Sequence, residues 1–384
     1  MKLKIGIDAR VLLDEHYSGV AEYAANLLEA ILQIDTNSQY YLFYNTFNNS
    51  YLKLKKFERL NCSRRGSRYP NKIFNYLLQK FLKQPKIDKF LGGVDIYFSP
   101  HFNFINLKKG TKFVITIHDI SFLRHPQFFS YRKNFWHQAL RLKKLLERAD
   151  VIVAVSANTK ADLIEVLKIP AEKIVVIYSG NNYDILPVVD TKALQNYRQK
   201  LGLPLRFILF VGNIEPRKNL SNLILAYNLL RQAEPELADV ALVIAGAPGW
   251  KHKAIYQTWK NSPYKDDIKF LGYVDTQEKE YLYRLATVFA YPSFYEGFGF
   301  PPLEAMRFSL PVVASNVSSL PEILGRSALL VDPFRPDEIK QALHLVLKDD
   351  NLRAELIKRG EKQAALFSWE KTARAYIKLW QDLK

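Results

Sequence analysis

One cysteine, Cys62, in 384 residues excludes an internal disulfide, and neither a CxxC pair nor a Cys/His cluster at metal-ligand spacing occurs. The pattern points to a reducing compartment and leaves structural zinc without ligands. Also missing is any run of about 20 uncharged apolar residues, the length a membrane-spanning helix needs. The apolar residues after Met1 are interrupted by Asp8 and Arg10 before a signal peptide could form. No GxGxxG fingerprint, P-loop, short internal repeat or low-complexity tract is present.

Acidic residues are the scarcer charge: 38 Asp and Glu stand against 55 Lys and Arg, a formal charge of +17. Such an excess attracts anions of any kind, so its distribution says more. Twelve basic residues lie between Lys53 and Lys89 against Glu58 and Asp88 alone, and a second basic stretch, YRKNFWHQALRLKKLLERAD, runs from Tyr131 to Asp150. Both carry aromatics or leucines at near-helical spacing, as in KIFNYLLQKFLKQ. That suits a helix lying on an anionic membrane surface, and equally a helix packed on its own domain with solvated lysines. Neither stretch holds a recognisable nucleic-acid reader motif or base-stacking platform.

With 48% apolar residues the chain is long enough for two domains with separate cores. Strand patterns alternate with helical ones. KLKIGIDAR, QYYLFYN, DIYFSP, KFVITIHD, VIVAVS and KIVVIYSG read as strands of a first half, with the helix VAEYAANLLEAILQI after a glycine turn. The apolar rhythm weakens across NNYDILPVVDTKALQNYRQKLGLP, the expected link. RFILFVGN, VALVIAGAP, IKFLGYV, VFAYPS, PVVAS and SALLVDP repeat the grammar in a second half. The expectation is two doubly wound α/β domains with largely parallel sheets, facing across a cleft where ligands of such sheets bind.

Several turns would line such a site. In IEPRKNL, Arg217 and Lys218 precede a helix whose first turn Asn219 or Ser221 can cap, a plausible phosphate seat and equally a solvated pair. Gly19 is the counterpart glycine turn of the first half. His118 and Asp119 end the strand KFVITI, and His101 ends another; a histidine there can bond a polar ligand or serve structure alone. SFYEGFGFPPLEAM, residues 293–306, sets Glu296 and Glu304 on either side of a turn with Gly297, Phe298, Gly299 and Phe300, and Pro301 and Pro302 start a helix. The glycines let backbone approach a ligand at a helix N-terminus, and carboxylates accept from paired hydroxyls such as those of sugars and ribose.

PSFYEGFGFPPLEAM followed by LPVVASNVSSLPEILGRSALLVDP resembles the nucleotide-sugar signature of the retaining glycosyltransferases of family 4, which have the GT-B fold. VGNIEPRKNL and IAGAPGW match the same family, and GIDAR, GVAEY and IHDISFLRHP look like its mannosyltransferase-like members. The resemblance covers nearly the whole chain. Ser309 departs from it, standing where the family usually has a glycine. The resemblance implies that Glu304 holds ribose hydroxyls and Glu296 the transferred sugar. Arg217 and Lys218 would neutralise the diphosphate, with backbone N–H groups of Gly297 to Phe300 and Gly19 assisting. His118 would touch the donor sugar. Many members carry arginine where Asn213 stands, and Arg217 would supply that charge here.

No Asp-x-Asp pair occurs, so no metal and no cofactor is expected; fixed cations and a helix dipole would stabilise the leaving group. The resemblance implies residues 1–187, joined by a C-terminal helix 369–384, as an acceptor-binding domain, and 188–368 as the nucleotide-sugar domain. Trp369 and Trp380 would anchor that helix. GDP-mannose is the first expectation as donor, with UDP-sugars or dTDP-rhamnose as alternatives. The acceptor is expected to be a saccharide or lipid-linked saccharide, with the protein cytoplasmic and peripheral on an anionic membrane, in surface polysaccharide or glycolipid synthesis. A non-catalytic nucleotide-sugar-binding regulator is the alternative from another class.

Overall fold

The computed structural model describes residues 2–13, 19–131, 140–183 and 190–384. By their contacts they group into two units, one of Met1–Ile120, Phe135–Gly180 and Phe367–Lys384, the other of Ser121–Asn134 and Asn181–Leu366. The expected division after residue 187 falls among residues 184–189, outside the described residues, as does the part of the second basic stretch at 132–139. Residues 121–131 cluster with the second unit. There Trp250 Nε1 donates to the Phe128 carbonyl at 2.6 Å, and the Phe128 and Phe294 rings stack 5.5 Å apart.

The first unit is built on seven strands: β1 (Lys4–Asp8), β2 (Gln39–Asn45), β3 (Cys62–Ser67), β4 (Ile96–Ser99), β5 (Lys112–Ile117), β6 (Val151–Ala154) and β7 (Ile174–Val176). They lie in the order β3-β2-β1-β4-β5-β6-β7, paired in parallel. The apolar runs FVITI and IVA are buried throughout, as strands covered on both faces must be. β3 was not legible in CSRRGS, because an edge strand pairs on one side only and needs no apolar run. The helix Gly19–Ile34 buries Tyr23, Leu27 and Ile31 along one face. Against it packs the last helix, Trp369–Asp382, whose Trp380 is fully buried against Tyr40 and Phe98.

The second unit holds β8 (Arg206–Val211), β9 (Val240–Ala245), β10 (Ile268–Gly272), β11 (Val288–Tyr291), β12 (Val312–Ser315) and β13 (Ala328–Val331). Their order, β10-β9-β8-β11-β12-β13, is again parallel and reverses between β8 and β11, where Ile208 faces Val288 and Leu209 faces Phe289. A doubly wound sheet opens a crevice at the C-terminal ends of the strands that flank such a reversal. Among the described residues no helix is long and apolar enough to cross a membrane.

Candidate functional site

The two strands at the reversal of the second sheet deliver a four-charge cluster. Leaving β8, the chain makes a single turn at Pro216–Lys218 that carries Arg217 and Lys218; leaving β11, it carries Glu296. Lys218 Nζ lies 2.7 Å from Glu296 Oε1 and donates to Tyr291 Oη at 2.6 Å. Arg217 Nη1 donates to Glu296 Oε2 at 3.0 Å and to the Tyr295 carbonyl at 2.8 Å, while Glu215 holds Nη2 at 3.0 Å. Burial pushes the Glu296 carboxyl up, but Arg217 and then Lys218 outweigh it and hold the pKa at about 2. Burial pushes the Lys218 ammonium down, opposed chiefly by Glu296. Tyr291 is pushed well above its usual value by burial and then by Glu296, so the phenol stays protonated.

Glu304 sits in the helix Phe300–Arg307 and is 1% exposed, not solvated. Asn182 Nδ2 donates to Oε1 at 2.6 Å, Tyr283 Oη donates to Oε2 at 2.8 Å, and Lys279 Nζ lies 3.1 Å from Oε2. Lys279 and Tyr283 stand four apart on the helix Thr276–Leu285 and so share one face. The turn between the glutamates has Gly299 at φ +104°, a left-handed backbone that favours glycine, and a Cβ there would come 2.6 Å from Leu320 Cδ2. Phe298 is buried, with its ring 5.1 Å from that of Phe300. Serines of the next loop strap the turn down. Ser318 Oγ accepts from Glu296 N at 2.9 Å, and Ser319 Oγ lies 3.0 Å from the carbonyls of both Glu296 and Phe298.

Asn219 does not cap the helix Leu220–Ala233 as expected. Its backbone is left-handed at φ +59°, and its Nδ2 donates to the carbonyls of Pro292 and Pro333, at 2.9 and 2.6 Å. The side chain ties the Arg217–Lys218 turn to the end of β11 instead of closing the helix. Asn213 is exposed in the loop after β8 and takes no part in the cluster.

In the first unit, His118 follows β5 with Nε2 2.8 Å from the Pro100 carbonyl and its ring edge-on to Tyr23 at 4.6 Å. Burial lowers its pKa against the pull of that carbonyl, so the ring is neutral at pH 7. Nε2 must then carry the proton it donates, which leaves Nδ1 an acceptor. Gly19 heads its helix with open space where a Cβ would stand. At the reversal of this sheet, between β1 and β4, lies a cavity of about 540 Å³. Its lining is polar and largely uncharged: Asn45, Thr46, Asn48, Ser50, Asn71, Asn75, His101 and Asn103 surround the Asp8–Arg10 pair. Arg10 grips Asp8 with two nitrogens, Nε to Oδ1 at 2.9 Å and Nη2 to Oδ2 at 2.6 Å.

The family described as Glycosyltransferase Family 4 matches residues 17–184, and that described as Glycosyl transferases group 1 matches residues 195–363. Over 293 residues the chain is 36% identical to O-antigen chain mannosyltransferase B of Escherichia coli, covering 75% of this chain and 74% of that protein. The chain belongs to glycosyltransferase family 4. This glycosyltransferase is also 31% identical over 268 residues to the serotype-specific mannosyltransferase WbdA of Escherichia coli, a match that spans 69% of this chain and 33% of WbdA. Its GT-B fold is shared with sucrose-phosphate synthase from Thermosynechococcus elongatus, with a TM-score of 0.76 at 21% identity over 100% of this chain and 99% of that one. HepE of Anabaena, solved with UDP and glucose, gives 0.74 at 18% identity over 99% and 100%. The family 4 enzyme is thus a hexosyltransferase.

The structure gathers Arg217, Lys218 and Glu296 into one cluster of this glycosyltransferase and surrounds Glu304 separately with Asn182, Lys279 and Tyr283. Sequence reasoning missed Tyr291, Asn182, Lys279, Tyr283, Ser318 and Ser319. Lys279 and Tyr283 were within reach, since the i,i+4 pair lies in plain view in EKEYLYRLA. Asn182, in the fading link, carried no periodic signal.

Proposed function

We propose that this glycosyltransferase is a retaining, metal-independent mannosyltransferase that takes mannose from GDP-mannose and delivers it to a hydroxyl of a saccharide carried on a lipid, at the cytoplasmic face of an anionic membrane. The observation that carries the reading is the buried Arg217–Lys218–Glu296 cluster at the reversal of the second sheet, together with relatives named mannosyltransferases. Breaking the bond from anomeric carbon to phosphate leaves an anionic diphosphate and an oxocarbenium-like sugar. Cations fixed beforehand at the leaving group lower that barrier most, because they need no reorganisation. Arg217 and Lys218 would take that part and Glu304 would accept from the ribose hydroxyls. Glu296 would keep both cations charged and oriented, sharing them with the diphosphate when it arrives, and contact the sugar. His118 Nδ1 would accept from a sugar hydroxyl. In the first unit, a cavity rich in asparagine suits a neutral polyhydroxylated acceptor, since each amide offers donors and an acceptor without charge.

The test is a thermal-shift panel of GDP-mannose, UDP-glucose, UDP-N-acetylglucosamine, dTDP-rhamnose and the bare nucleotides, each with EDTA and with magnesium. Stabilisation by the GDP series that persists in EDTA and disappears in Glu304→Ala supports the reading, about 2.7 kcal/mol being available at a hundredfold excess over Kd. A shift by another series moves the donor, and a shift that needs magnesium overturns metal independence. The anomeric configuration of the product, read by NMR, tests retention. Binding without turnover favours the regulator.

A further inference from the structure

A carboxylate has four acceptor positions, two on each oxygen, and those of Glu304 are filled from within the protein. Oε1 accepts from Asn182 Nδ2 at 2.6 Å and from Lys279 Nζ at 3.2 Å; Oε2 accepts from Tyr283 Oη at 2.8 Å and has the same Lys279 Nζ at 3.1 Å. A vicinal diol that binds a carboxylate side-on places one hydroxyl on each oxygen. Among the described residues only Lys279 reaches both oxygens, so only its departure opens one position on each. Its two contacts are also the longest of the four.

The surroundings decide what stays and what moves. Tyr283 is buried, and burial followed by the Glu304 charge holds its phenol well above its usual pKa, so it remains a protonated donor. Asn182 stands between two anchored neighbours: Asn181 Nδ2 donates to the Leu303 carbonyl at 3.1 Å, and the Tyr183 carbonyl accepts from Arg307 Nε at 2.9 Å. Lys279 instead extends from the helix Thr276–Leu285 on a flexible four-carbon stem. Its Nζ lies 5.6 Å from the centre of the Tyr183 ring, and that ring is pinned through Oη to the Thr276 carbonyl at 3.3 Å. The ammonium therefore has a second seat beside the first, the face of an anchored aromatic ring.

We propose that Lys279 is an internal stand-in for the ribose diol of the donor nucleotide. It occupies Glu304 until a nucleotide arrives, retreats to the Tyr183 ring as the two hydroxyls take its places, and returns when the nucleotide leaves. The inference rests on the reading of Glu304 as the ribose carboxylate. A ligand with the diol must break an ion pair whose side chains are 14% and 2% exposed, and its apparent affinity falls by that competition. A ligand without the diol escapes it. Lys279 thereby eases release of the product nucleotide, a step that often limits turnover.

The experiment is calorimetric titration of the wild type, Lys279→Met and Lys279→Gln with GDP, UDP and the dideoxyribose form of each, which lacks both hydroxyls. The quantity to follow is the Kd of the dideoxy form divided by that of the ribonucleotide, because a general loss of positive charge weakens both and cancels. In the series that binds, this ratio is expected to rise about five-fold in Lys279→Met, equivalent to a competition of about 1 kcal/mol. Lys279→Gln, which keeps a neutral donor, should fall between. Binding of the dideoxy form by both variants shows that they fold. An unchanged ratio would overturn the stand-in, and a lower one would make Lys279 a direct partner of the hydroxyls and overturn it as well. A ratio of one in all three proteins would remove Glu304 from the ribose, and binding of neither series would defeat the donor reading; each also overturns the inference, and each is distinct from its failure alone.

Discussion

Glu296 accepts from Arg217 and Lys218 at once, and the consequence for Lys218 is the sharper one. Its burial already favours the neutral amine, so removing the carboxylate in Glu296→Gln should drop its pKa further. The alkaline limb of the kcat/KM profile should then move to lower pH, with kcat reduced about 10²- to 10³-fold, the range for losing one preorganised charge contact. An unchanged alkaline limb would remove Lys218 from the mechanism. The same carboxyl couples stability to acid. Its folded pKa lies below the ordinary 4.5, at about 2, so its contribution is complete above pH 4.5 and is lost as the pH falls towards 2. Urea midpoints across that window should fall more steeply for the wild type than for Glu296→Gln. Ser309 offers a backbone test. It holds φ +56° where the family usually has glycine, and its Oγ donates to Glu361 at 2.6 Å. Ser309→Ala and Ser309→Gly both lose that bond, but only alanine keeps the Cβ strain. Denaturation should find Ser309→Gly more stable than Ser309→Ala by about 1 kcal/mol.

At the scale of elements, the last helix contributes to the first unit out of proportion to its length. Trp380 is fully buried among Tyr40, Phe98 and Tyr376, and Tyr376 Oη shares hydrogen bonds with Tyr23 at 2.8 Å and Thr116 at 2.6 Å. Gly180 allows the start of that helix to approach, since a Cβ there would lie 2.3 Å from Trp369 N. Trp380→Ala should cost about 3–5 kcal/mol by chemical denaturation, as large aromatic truncations in packed cores do. A loss under 1 kcal/mol would mean that the helix is dispensable to that core. The helix Phe300–Arg307 depends on its neighbours differently. Its entry turn is held by Gly299 and by Ser318 and Ser319, three small residues that fix backbone without filling space.

For the whole molecule, the two sheets share one order over six strands, with β7 added to the first, and in each the polar groups collect where that order reverses. The Arg217–Lys218–Glu296 cluster belongs to the second unit. Adding the donor's nucleoside diphosphate should therefore raise hydrogen-exchange protection in residues 214–219, 279–283 and 294–304 before anywhere else. Protection that rises first in residues 4–13 and 45–50 would assign the nucleotide to the first unit. The alternation of strand and helix was legible because buried parallel strands demand apolar runs, and twelve of the thirteen strands announce themselves so. β3 did not, being a polar edge. The two glutamates and the Arg-Lys pair were legible because glycines and prolines punctuate the turns that carry them. Their partners were not: Asn182 lies 122 positions from Glu304 and Tyr291 lies 73 from Lys218, distances at which no local pattern survives.

By itself the sequence determined the class of fold, the two halves and the turns that carry the charged residues, because periodicity, glycine and proline act within a few positions. Only the tertiary structure decided that Glu296 is shared between Arg217 and Lys218, that Glu304 is closed in by Lys279 and Tyr283, and that Asn219 serves as a tie instead of a cap. It alone decided that the helix Ile73–Leu82 shows its apolar side outward. The physical reason is that an amphipathic pattern states that two faces differ, whereas which face is covered depends on what the rest of the chain brings against it.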